Sequence, residues 1–186
     1  MTLMPAARPT KSSTTTLRQA FGGVPLVAQA VLDSPLGPMT ALATARGIAG
    51  LWFENQTHHP GPLDASIDAR NPHIEAMQRW LEAYWAGRAA SPREVPLDLY
   101  GTPFQRAVWR ALLTIPLGRT RSYGEVAAQV GSGAVPRSTG SAVGRNPVSI
   151  LVPCHRVIGA NGSLTGYAGG LPRKQHLLQH EGALLT

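Results

Sequence analysis

The chain has 186 residues, of which 43% are apolar and 15% are charged, a composition that excludes a disordered or fibrous protein and suits one large or two small domains. No apolar run reaches the roughly 18 to 20 residues of a membrane span, and the N-terminus lacks a secretory signal, so we expect a soluble, cytoplasmic protein with no membrane partner. The single cysteine, Cys154, excludes an internal disulfide and a cysteine-rich zinc site, which leaves a reactive or a buried thiol.

The net charge of +7 lies entirely in the second half of the chain. Residues 1–100 contain eight Lys/Arg and eight Asp/Glu, whereas residues 101–186 contain nine and two. A basic block favours a polyanionic partner through phosphate contacts and counterion release, and nucleic acid is the first candidate. Charge that serves only solubility is the alternative at this point.

The first 23 residues differ in composition from the rest of the chain. They are rich in Ser and Thr, contain no acid and show no apolar period, so we predict a disordered tail over 1–23. A transit peptide has a similar composition and is kept as an alternative, although a clear amphipathic helix is missing.

The next segment, 24–96, has the pattern of a small α/β domain. Three apolar stretches separated by turn residues predict an antiparallel meander, with strands at 26–32, 39–44 and 48–53. Asn71-Pro72 then supplies an N-cap and a first-turn proline for a helix. The apolar face of this helix, which we interpret as core, consists of Ile74, Met77, Trp80, Leu81, Tyr84 and Trp85. His58 and His59 lack a third ligand at metal-binding spacing, so we interpret them as solvent-exposed.

A loop around Ala90 to Pro96 marks the boundary to a second domain, 97–186, that is richer in helix signals. Thr102-Pro103 begins a first helix. Ser122 and Glu125 form a capping box for a second helix, which Gly131 ends. A third helix covers about 135–145. Two short helices joined by a glycine-containing turn, the second with Arg137 and Arg145, predict a helix-turn-helix.

An apolar segment after Asn146-Pro147 leads into Pro153-Cys154-His155-Arg156-Val157. In a regular strand Cys154 and His155 would face opposite ways, but Pro153 permits a local turn and a water could bridge the two side chains. A free thiol, with a pKa near ~8.5, is mostly protonated at neutral pH, so reactivity needs a base or a positive charge. His155 and Arg156 can supply these.

A histidine base in turn needs a carboxylate that orients it. Only two acids follow residue 100, and the capping box accounts for Glu125, so Glu181 is the candidate partner. A buried, inert cysteine beside a surface histidine and arginine is the alternative that these residues alone leave open.

The motif Pro-Cys-His-Arg-Val at 153–157, preceded by Asn146-Pro147, resembles the O6-alkylguanine-DNA alkyltransferase (methylated-DNA–protein-cysteine methyltransferase) family. The similarity extends from Phe104 to Gly182 through Ser122-Tyr123, Arg137, Gly166-Tyr167 and His180-Glu181-Gly182, and the Ser-Pro-Leu-Gly turn with its strands resembles the family's N-terminal domain. The resemblance implies a mixed α/β (α+β) fold. A small antiparallel sheet with a helix, ribonuclease-H-like, precedes a mostly helical domain with a helix-turn-helix of the winged-helix type.

The resemblance also implies direct-reversal DNA repair. By this resemblance, we expect the protein to flip O6-alkylguanine out of duplex DNA and to transfer the alkyl group irreversibly to Cys154, once per molecule. O4-alkylthymine stays open as a second substrate. The implied partner is double-stranded DNA, bound in the minor groove independently of sequence. The protein is expected to be a monomer that associates with the nucleoid of a bacterial-type cell when it is bound to DNA. No cofactor and no metal are expected.

Roles carry over from the family by position. Glu181 orients His155, which takes the proton of Cys154 through a water, and Tyr123 donates to guanine N3. Arg137 enters the duplex in place of the flipped nucleotide. The other DNA-binding residues implied are Ser138, Gly140, Ala142 and Arg145, on a helix whose small residues let its backbone approach DNA closely.

The remaining implied residues form the hinge and the substrate pocket. Asn146 bonds to backbone and ties the DNA-binding helices to the cysteine turn. The pocket group consists of Pro153, Arg156, Val157, Tyr167 and Ala168. Ala168 stands where some members carry a serine, so backbone N–H groups would have to bind O6 there.

Three other functions compete with this interpretation. A non-catalytic alkyltransferase-like protein would lack the nucleophile that Cys154 provides. A transcription factor of the methylation response needs an additional cysteine-rich zinc domain, which a single cysteine excludes. A Cys/His hydrolase leaves the helix-turn-helix and the basic half without a purpose.

Overall fold

The computed structural model of the chain describes residues 21–88, 91–131 and 133–184. Most of the predicted tail, 1–20, lies outside the described residues. Phe21 is only 5% exposed and packs edge-on against Tyr100, with ring centroids 5.8 Å apart. The tail boundary at residue 23 is therefore wrong for Phe21, because a distant aromatic partner buries it without any local periodic pattern.

The first half of the chain contains the predicted meander. Strands β1 (Leu26–Leu32), β2 (Met39–Thr44) and β3 (Gly47–Phe53) pair antiparallel in the order β1-β2-β3. Ser34 shapes the first turn, since its Oγ donates to the carbonyl of Gly37 at 2.6 Å. Gly37 has φ 106°, which glycine adopts without strain.

Helix α1 (Pro72–Trp85) covers one face of this sheet. Asn71 caps it by accepting a hydrogen bond from the N–H of His73 at 3.0 Å, and Pro72 occupies the first turn, as predicted. The opposite face of the sheet is covered by a second apolar cluster around Phe21, Leu42, Ala49 and Trp52. Strands β2 and β3 are thus buried on both faces, whereas β1 keeps exposed residues such as Val31 on its outer face.

The second half is mainly helical. Its elements are α2 (Pro103–Leu112), β4 (Arg121–Ser122), α3 (Tyr123–Val130), α4 (Pro136–Gly144), β5 (Val157–Ile158) and α5 (Leu171–His180). Capping boxes at Thr102 and Ser122 begin α2 and α3, and Gly131 ends α3 with φ 99°. Helices α3 and α4 form the predicted helix-turn-helix. The Trp109 indole donates to the Ala142 carbonyl at 2.9 Å and so packs α2 against α4.

The segment before the cysteine joins the two halves. The N–H of Leu51 donates to the carbonyl of Pro147, and the N–H of Ser149 donates to the carbonyl of Leu51, each at 2.8 Å. This short parallel bridge extends the sheet beyond β3. The fold is therefore mixed α/β, with an antiparallel-sheet first half and a helical second half. Among the described residues, no helix has both the length and the apolar character needed to cross a bilayer.

Candidate active site

Cys154 lies on a short 3-10 turn, Cys154–Arg156, that begins after Pro153. The turn replaces the regular strand in which neighbouring side chains would face opposite ways, and both Cys154 and His155 are buried. Proline favours such a break because it has no N–H to continue a strand ladder. The local turn that Pro153 permits is therefore present.

Asn146 connects the end of α4 to the cysteine turn. Its Nδ2 donates to the carbonyls of Val152 at 2.7 Å and Val148 at 3.3 Å, and its Oδ1 accepts from the N–H of Val148 at 3.0 Å. These are backbone hydrogen bonds of the kind that the family resemblance implies. Nδ2 also lies 3.0 Å from Sγ of Cys154, and this contact favours the thiolate over the thiol.

The backbone between Asn146 and Cys154 is strained at one residue. Ile150 is buried and has φ 69°, a region that β-branched residues rarely adopt and that costs on the order of 1–3 kcal/mol. Hydrogen bonds from the N–H of Leu151 to Ser149 at 2.9 Å and from the N–H of Val152 to Val148 at 3.1 Å hold this turn. The strain thus lies in the segment that positions the nucleophile.

A buried hydrogen-bonded array stands behind the cysteine. Nε2 of His155 lies 2.7 Å from Oε1 of Glu181, and Arg156 donates from Nε to Oε2 at 2.7 Å and from Nη2 to Oε1 at 2.9 Å. The hydroxyl of Tyr84 donates to the same Oε1 at 2.8 Å. Glu181 follows α5 as its C-cap, and this position brings the carboxylate to the cysteine turn.

The electrostatics of the array set the protonation states. Burial opposes ionisation of Glu181, but hydrogen bonds from His155 and Arg156 outweigh it and lower the pKa of Glu181 to about 2. Burial lowers the pKa of His155 and raises the pKa of the Cys154 thiol. Because an ionised carboxylate can only accept, Nε2 of His155 carries the proton and Nδ1 the free lone pair. Nδ1 is buried and has no hydrogen-bond partner among the described residues.

A cavity of about 190 Å³ lies in front of Cys154. Tyr123 and Tyr167 contribute its aromatic walls, and Ala168 lies beside them. The remaining lining residues are Thr57, His58, Gly140, Val143, Gly144 and Gly166. Within the described ranges, no group of three or more His, Cys, Asp or Glu side chains is arranged to bind a metal ion.

The pocket wall at 165–169 is held through its carbonyl groups. Nζ of the buried Lys174 donates to the carbonyls of Thr165 at 2.6 Å and Gly166 at 3.2 Å, and burial lowers its pKa to about 8. The hydroxyl of Tyr123 lies 3.4 Å from the Thr165 carbonyl. From the first half of the chain, the N–H of Thr57 donates to the Ala168 carbonyl at 2.9 Å.

Four of the predicted DNA-binding residues lie at or near the surface, and one does not. Arg137 and Arg145 are exposed at the two ends of α4, Ser138 is half-buried in its first turn, and Gly140 lines the cavity. Ala142 is only 2% exposed and packs under Trp109, so the assignment of Ala142 to the DNA surface is wrong. Its position on the helix turns it towards the core.

Three predicted pocket residues, Pro153, Arg156 and Val157, do not line the cavity, and Pro153 is buried directly before the cysteine turn. Arg156 does not line the cavity in front of Cys154, since Glu181 and the Ile115 carbonyl occupy its guanidinium. Val157 is buried in strand β5, where its carbonyl accepts from Lys174. Arg156 therefore supports the array through its contact with Glu181, and Val157 supports the pocket wall through its contact with Lys174.

Sequence reasoning missed four residues of the site. Thr57 and His58 reach the cavity from a loop of the first half, and no local pattern indicates this contact. His58 is solvent-exposed, as expected, but it lies at the pocket. Tyr84 was assigned only to the core. Lys174 had a detectable signal, since it precedes Leu177 and Leu178 on the buried face of α5 at helical spacing.

The chain matches known proteins over both halves. Residues 27–99 match the family model described as 6-O-methylguanine DNA methyltransferase, ribonuclease-like domain, and residues 103–183 match the DNA binding domain of the same family. The chain is 47% identical over 150 residues to the methylated-DNA–protein-cysteine methyltransferase of Mycobacterium tuberculosis, which covers 81% of this chain and 89% of that protein. It is 50% identical over 164 residues to the Shigella flexneri protein of the same name, with 83% and 95% covered.

A solved structure has the same fold. The crystal structure of Mycobacterium tuberculosis OGT in complex with DNA superposes with a TM-score of 0.75 at 44% sequence identity, over 84% of this chain and 93% of that one. The residues matched by the two family models, 27–99 and 103–183, include the helix-turn-helix, the cysteine turn and most of the sheet that supports it. With both halves matched at this identity, the chain belongs to the 6-O-methylguanine DNA methyltransferase family.

Proposed function

We propose that this protein reverses alkylation of guanine O6 in DNA by moving the alkyl group to Cys154 in one irreversible turnover. The observation that carries the proposal is the position of Cys154, whose thiol faces a cavity in front and a His155–Glu181 array behind. A buried thiol with a raised pKa reacts only when a base removes its proton, and His155 is that base.

The array supports one path for the proton. Glu181 is ionised and holds Nε2–H of His155, so the lone pair on Nδ1 accepts the thiol proton through one water. The thiolate attacks the alkyl carbon in line, an S–C bond forms and the C–O6 bond breaks. Guanine takes up one proton as it leaves, which balances the proton lost by the thiol, so no co-reactant is needed. The C–S bond of the thioether product is stable, because a thiolate is a poor leaving group from saturated carbon, so each molecule acts once.

The pocket supports recognition of a flipped base. Tyr123 stays protonated, since burial raises its pKa, and donates to guanine N3. Tyr167 and Ala168 form the wall beside the base, and backbone N–H groups of this wall bind O6. Flipping costs a few kcal/mol, less at a damaged pair. Arg137, exposed at the start of α4, fills the space left in the duplex.

The DNA partner is bound in the minor groove without regard to sequence. Support comes from α4, where Ser138, Gly140 and Gly144 leave little side chain between backbone and solvent. Arg145 adds a phosphate contact at the end of the helix. The protein acts as a cytoplasmic monomer, without metal or cofactor, and its two domains meet between residues 96 and 97, with Phe21 packed in the first.

The test is mass spectrometry of the Cys154 peptide after incubation with a duplex that contains one O6-methylguanine. We expect the peptide mass to rise by one methylene unit and the DNA to regain guanine, with a limit of one equivalent per protein. Cys154→Ser is the control and should bind the lesion without transfer. Binding without transfer by the wild-type thiol would indicate a recognition protein, and sustained turnover on esters or peptides would indicate a hydrolase.

A further inference from the structure

The reactive array of the second half contains one hydroxyl from the first half. The hydroxyl of Tyr84, on α1, donates to Oε1 of Glu181 at 2.8 Å, and the two residues are 97 positions apart. This oxygen also receives Nε2–H of His155 at 2.7 Å and Nη2–H of Arg156 at 2.9 Å. The contact lies in the interior, since Tyr84 is 3% exposed and the Glu181 side chain is fully buried.

The position of the Tyr84 ring is fixed on several sides. It stacks on Trp80 with centroids 5.4 Å apart and meets Trp85 edge-on at 5.0 Å. Its backbone carbonyl accepts from Nε2 of His180, the last residue of α5, at 2.9 Å. The hydroxyl therefore has little freedom to leave Glu181 unless α1 moves away from α5.

A phenol in this setting acts as a donor only. Burial and the neighbouring Glu181 raise the pKa of Tyr84 far above its usual value, so the hydroxyl keeps its proton at all physiological pH values. A third donor on Oε1 draws charge from that oxygen and fixes the plane of the carboxylate. Both effects reach His155, because Oε1 is the atom that holds its Nε2–H.

We propose that Tyr84 is a positioning residue for alkyl transfer, which through Glu181 holds the His155 imidazole in the orientation and tautomer that leave Nδ1 free to accept the thiol proton. The proposal rests on the proposed function of His155 and Glu181. It makes the first half of the chain a component of the acid–base array, beyond any part that it plays in folding.

Other groups also face the pair. The charged and titratable side chains around His155 and Glu181 are Tyr84 from α1, Arg156 and Cys154 from the cysteine turn, Tyr167 from the pocket wall and Lys174 from α5. Of these, only Tyr84 and Arg156 donate to the Glu181 carboxylate along with His155. Tyr84→Phe thus removes one donor and leaves the ion pair intact.

The experiment compares Tyr84→Phe with the matched control Tyr100→Phe. Tyr100 also donates its hydroxyl to a carboxylate, that of Asp98, but it packs against the opposite face of the sheet. In single-turnover reactions with saturating O6-methylguanine duplex, we expect Tyr84→Phe to transfer about tenfold more slowly, with an unchanged dissociation constant for the duplex. Tyr100→Phe should match the wild type in both quantities.

A second readout does not depend on DNA. Without the Tyr84 hydroxyl, Oε1 of Glu181 carries more negative charge and favours the imidazolium. The pKa of His155, measured from its ¹⁵N shifts, should therefore rise in Tyr84→Phe, and the acidic limb of the rate profile should move to higher pH by the same interval. Tyr100→Phe should move neither.

A double-mutant cycle with Glu181→Gln tests the path of the effect. If Tyr84 acts through Glu181, the two rate losses are far from additive. Additive losses, or a folded Tyr84→Phe protein with wild-type rate and wild-type His155 titration, would overturn the proposal. Absence of transfer in the wild type would instead overturn the proposed function, and the His155 titration would still decide the role of Tyr84.

Discussion

Glu181 is the residue on which the hydrogen bonds of the array behind Cys154 converge. Its two oxygens accept four hydrogen bonds, from Tyr84, His155 and, twice, Arg156. The carboxylate and the guanidinium together are neutral, which makes their burial tolerable. A buried ion pair of this kind contributes little more to the free energy of unfolding than an apolar pair of similar size would. Loss of one partner, however, leaves the other charge buried and uncompensated.

Glu181→Gln should therefore lower the free energy of unfolding by about 3 to 5 kcal/mol at neutral pH, because Arg156 loses its counter-charge. The native pKa of Glu181, about 2, lies below its ordinary value of 4.5, so the carboxylate's contribution is complete above pH 4.5 and is lost as the pH falls towards 2. Urea denaturation over this interval should show the gap between wild type and variant closing. A gap that stays constant down to pH 2 would contradict this assignment of the pKa.

At the scale of elements, α4 serves two surfaces at once. One side buries Thr139, Ala142 and Val143 against the core, and Gly140 and Gly144 line the cavity beside Cys154. Arg137, in the first turn, points to solvent. A methyl group added at Gly140 would lie 3.6 Å from the Tyr123 ring, an ordinary van der Waals contact, so this part of α4 lies directly beside the pocket tyrosine. The helix thus connects the proposed DNA-binding surface directly to the cavity in front of Cys154.

Arg137→Ala should slow repair of an O6-methylguanine duplex by roughly 30-fold, about 2 kcal/mol, because the flipped state loses the side chain that fills the gap. Alkylation of the Cys154 thiol by a small reagent such as methyl iodide should keep its wild-type rate, since the array is untouched. Arg79→Ala removes an exposed arginine from α1 and is the control for charge. Unchanged duplex repair by Arg137→Ala would remove the proposed role.

At the scale of the whole molecule, the two halves share hydrogen bonds close to the reactive residues. Oγ of Ser149 donates to Oε1 of the buried Gln56 at 3.0 Å, next to the backbone bridge at Leu51. Arg173 lies over the Phe53 ring at 4.6 Å and donates to the carbonyls of Leu36 and Gly169, both at 3.1 Å. The first half therefore supports both the cysteine segment and the pocket wall.

Arg173→Met should lower the free energy of unfolding by about 2 kcal/mol, because two hydrogen bonds and a cation–π contact are lost while the aliphatic stem remains. Arg173→Lys should recover part of the loss through its remaining charge. Both variants should still unfold in a single transition by circular dichroism and by tryptophan fluorescence. Two separate transitions, or an Arg173→Met protein as stable as the wild type, would contradict the role of Arg173 in joining the two halves.

Most of the fold could be predicted because its signals are local. The side chains of Asn71, Thr102 and Ser122 each accept a hydrogen bond from a backbone N–H within three residues. These helix starts can therefore be predicted from the local sequence. The strands follow from runs of apolar residues between turns. The break after Pro153 is equally local, and the motif around Cys154 indicated the nucleophile and its base.

The amino-acid sequence by itself therefore determined the meander, helices α1 to α4 and the family, and it led to the proposal that Cys154, His155 and Glu181 carry out the reaction. Only the tertiary structure decided that Ala142 and Arg156 face inward, that Phe21 is packed, and that Tyr84, Thr57 and Lys174 belong to the site. The physical reason is the separation along the chain over which each kind of interaction acts. Caps, turns and periodicity act over a few residues, whereas a hydroxyl on residue 84 meets a carboxylate on residue 181 only after two helices pack together.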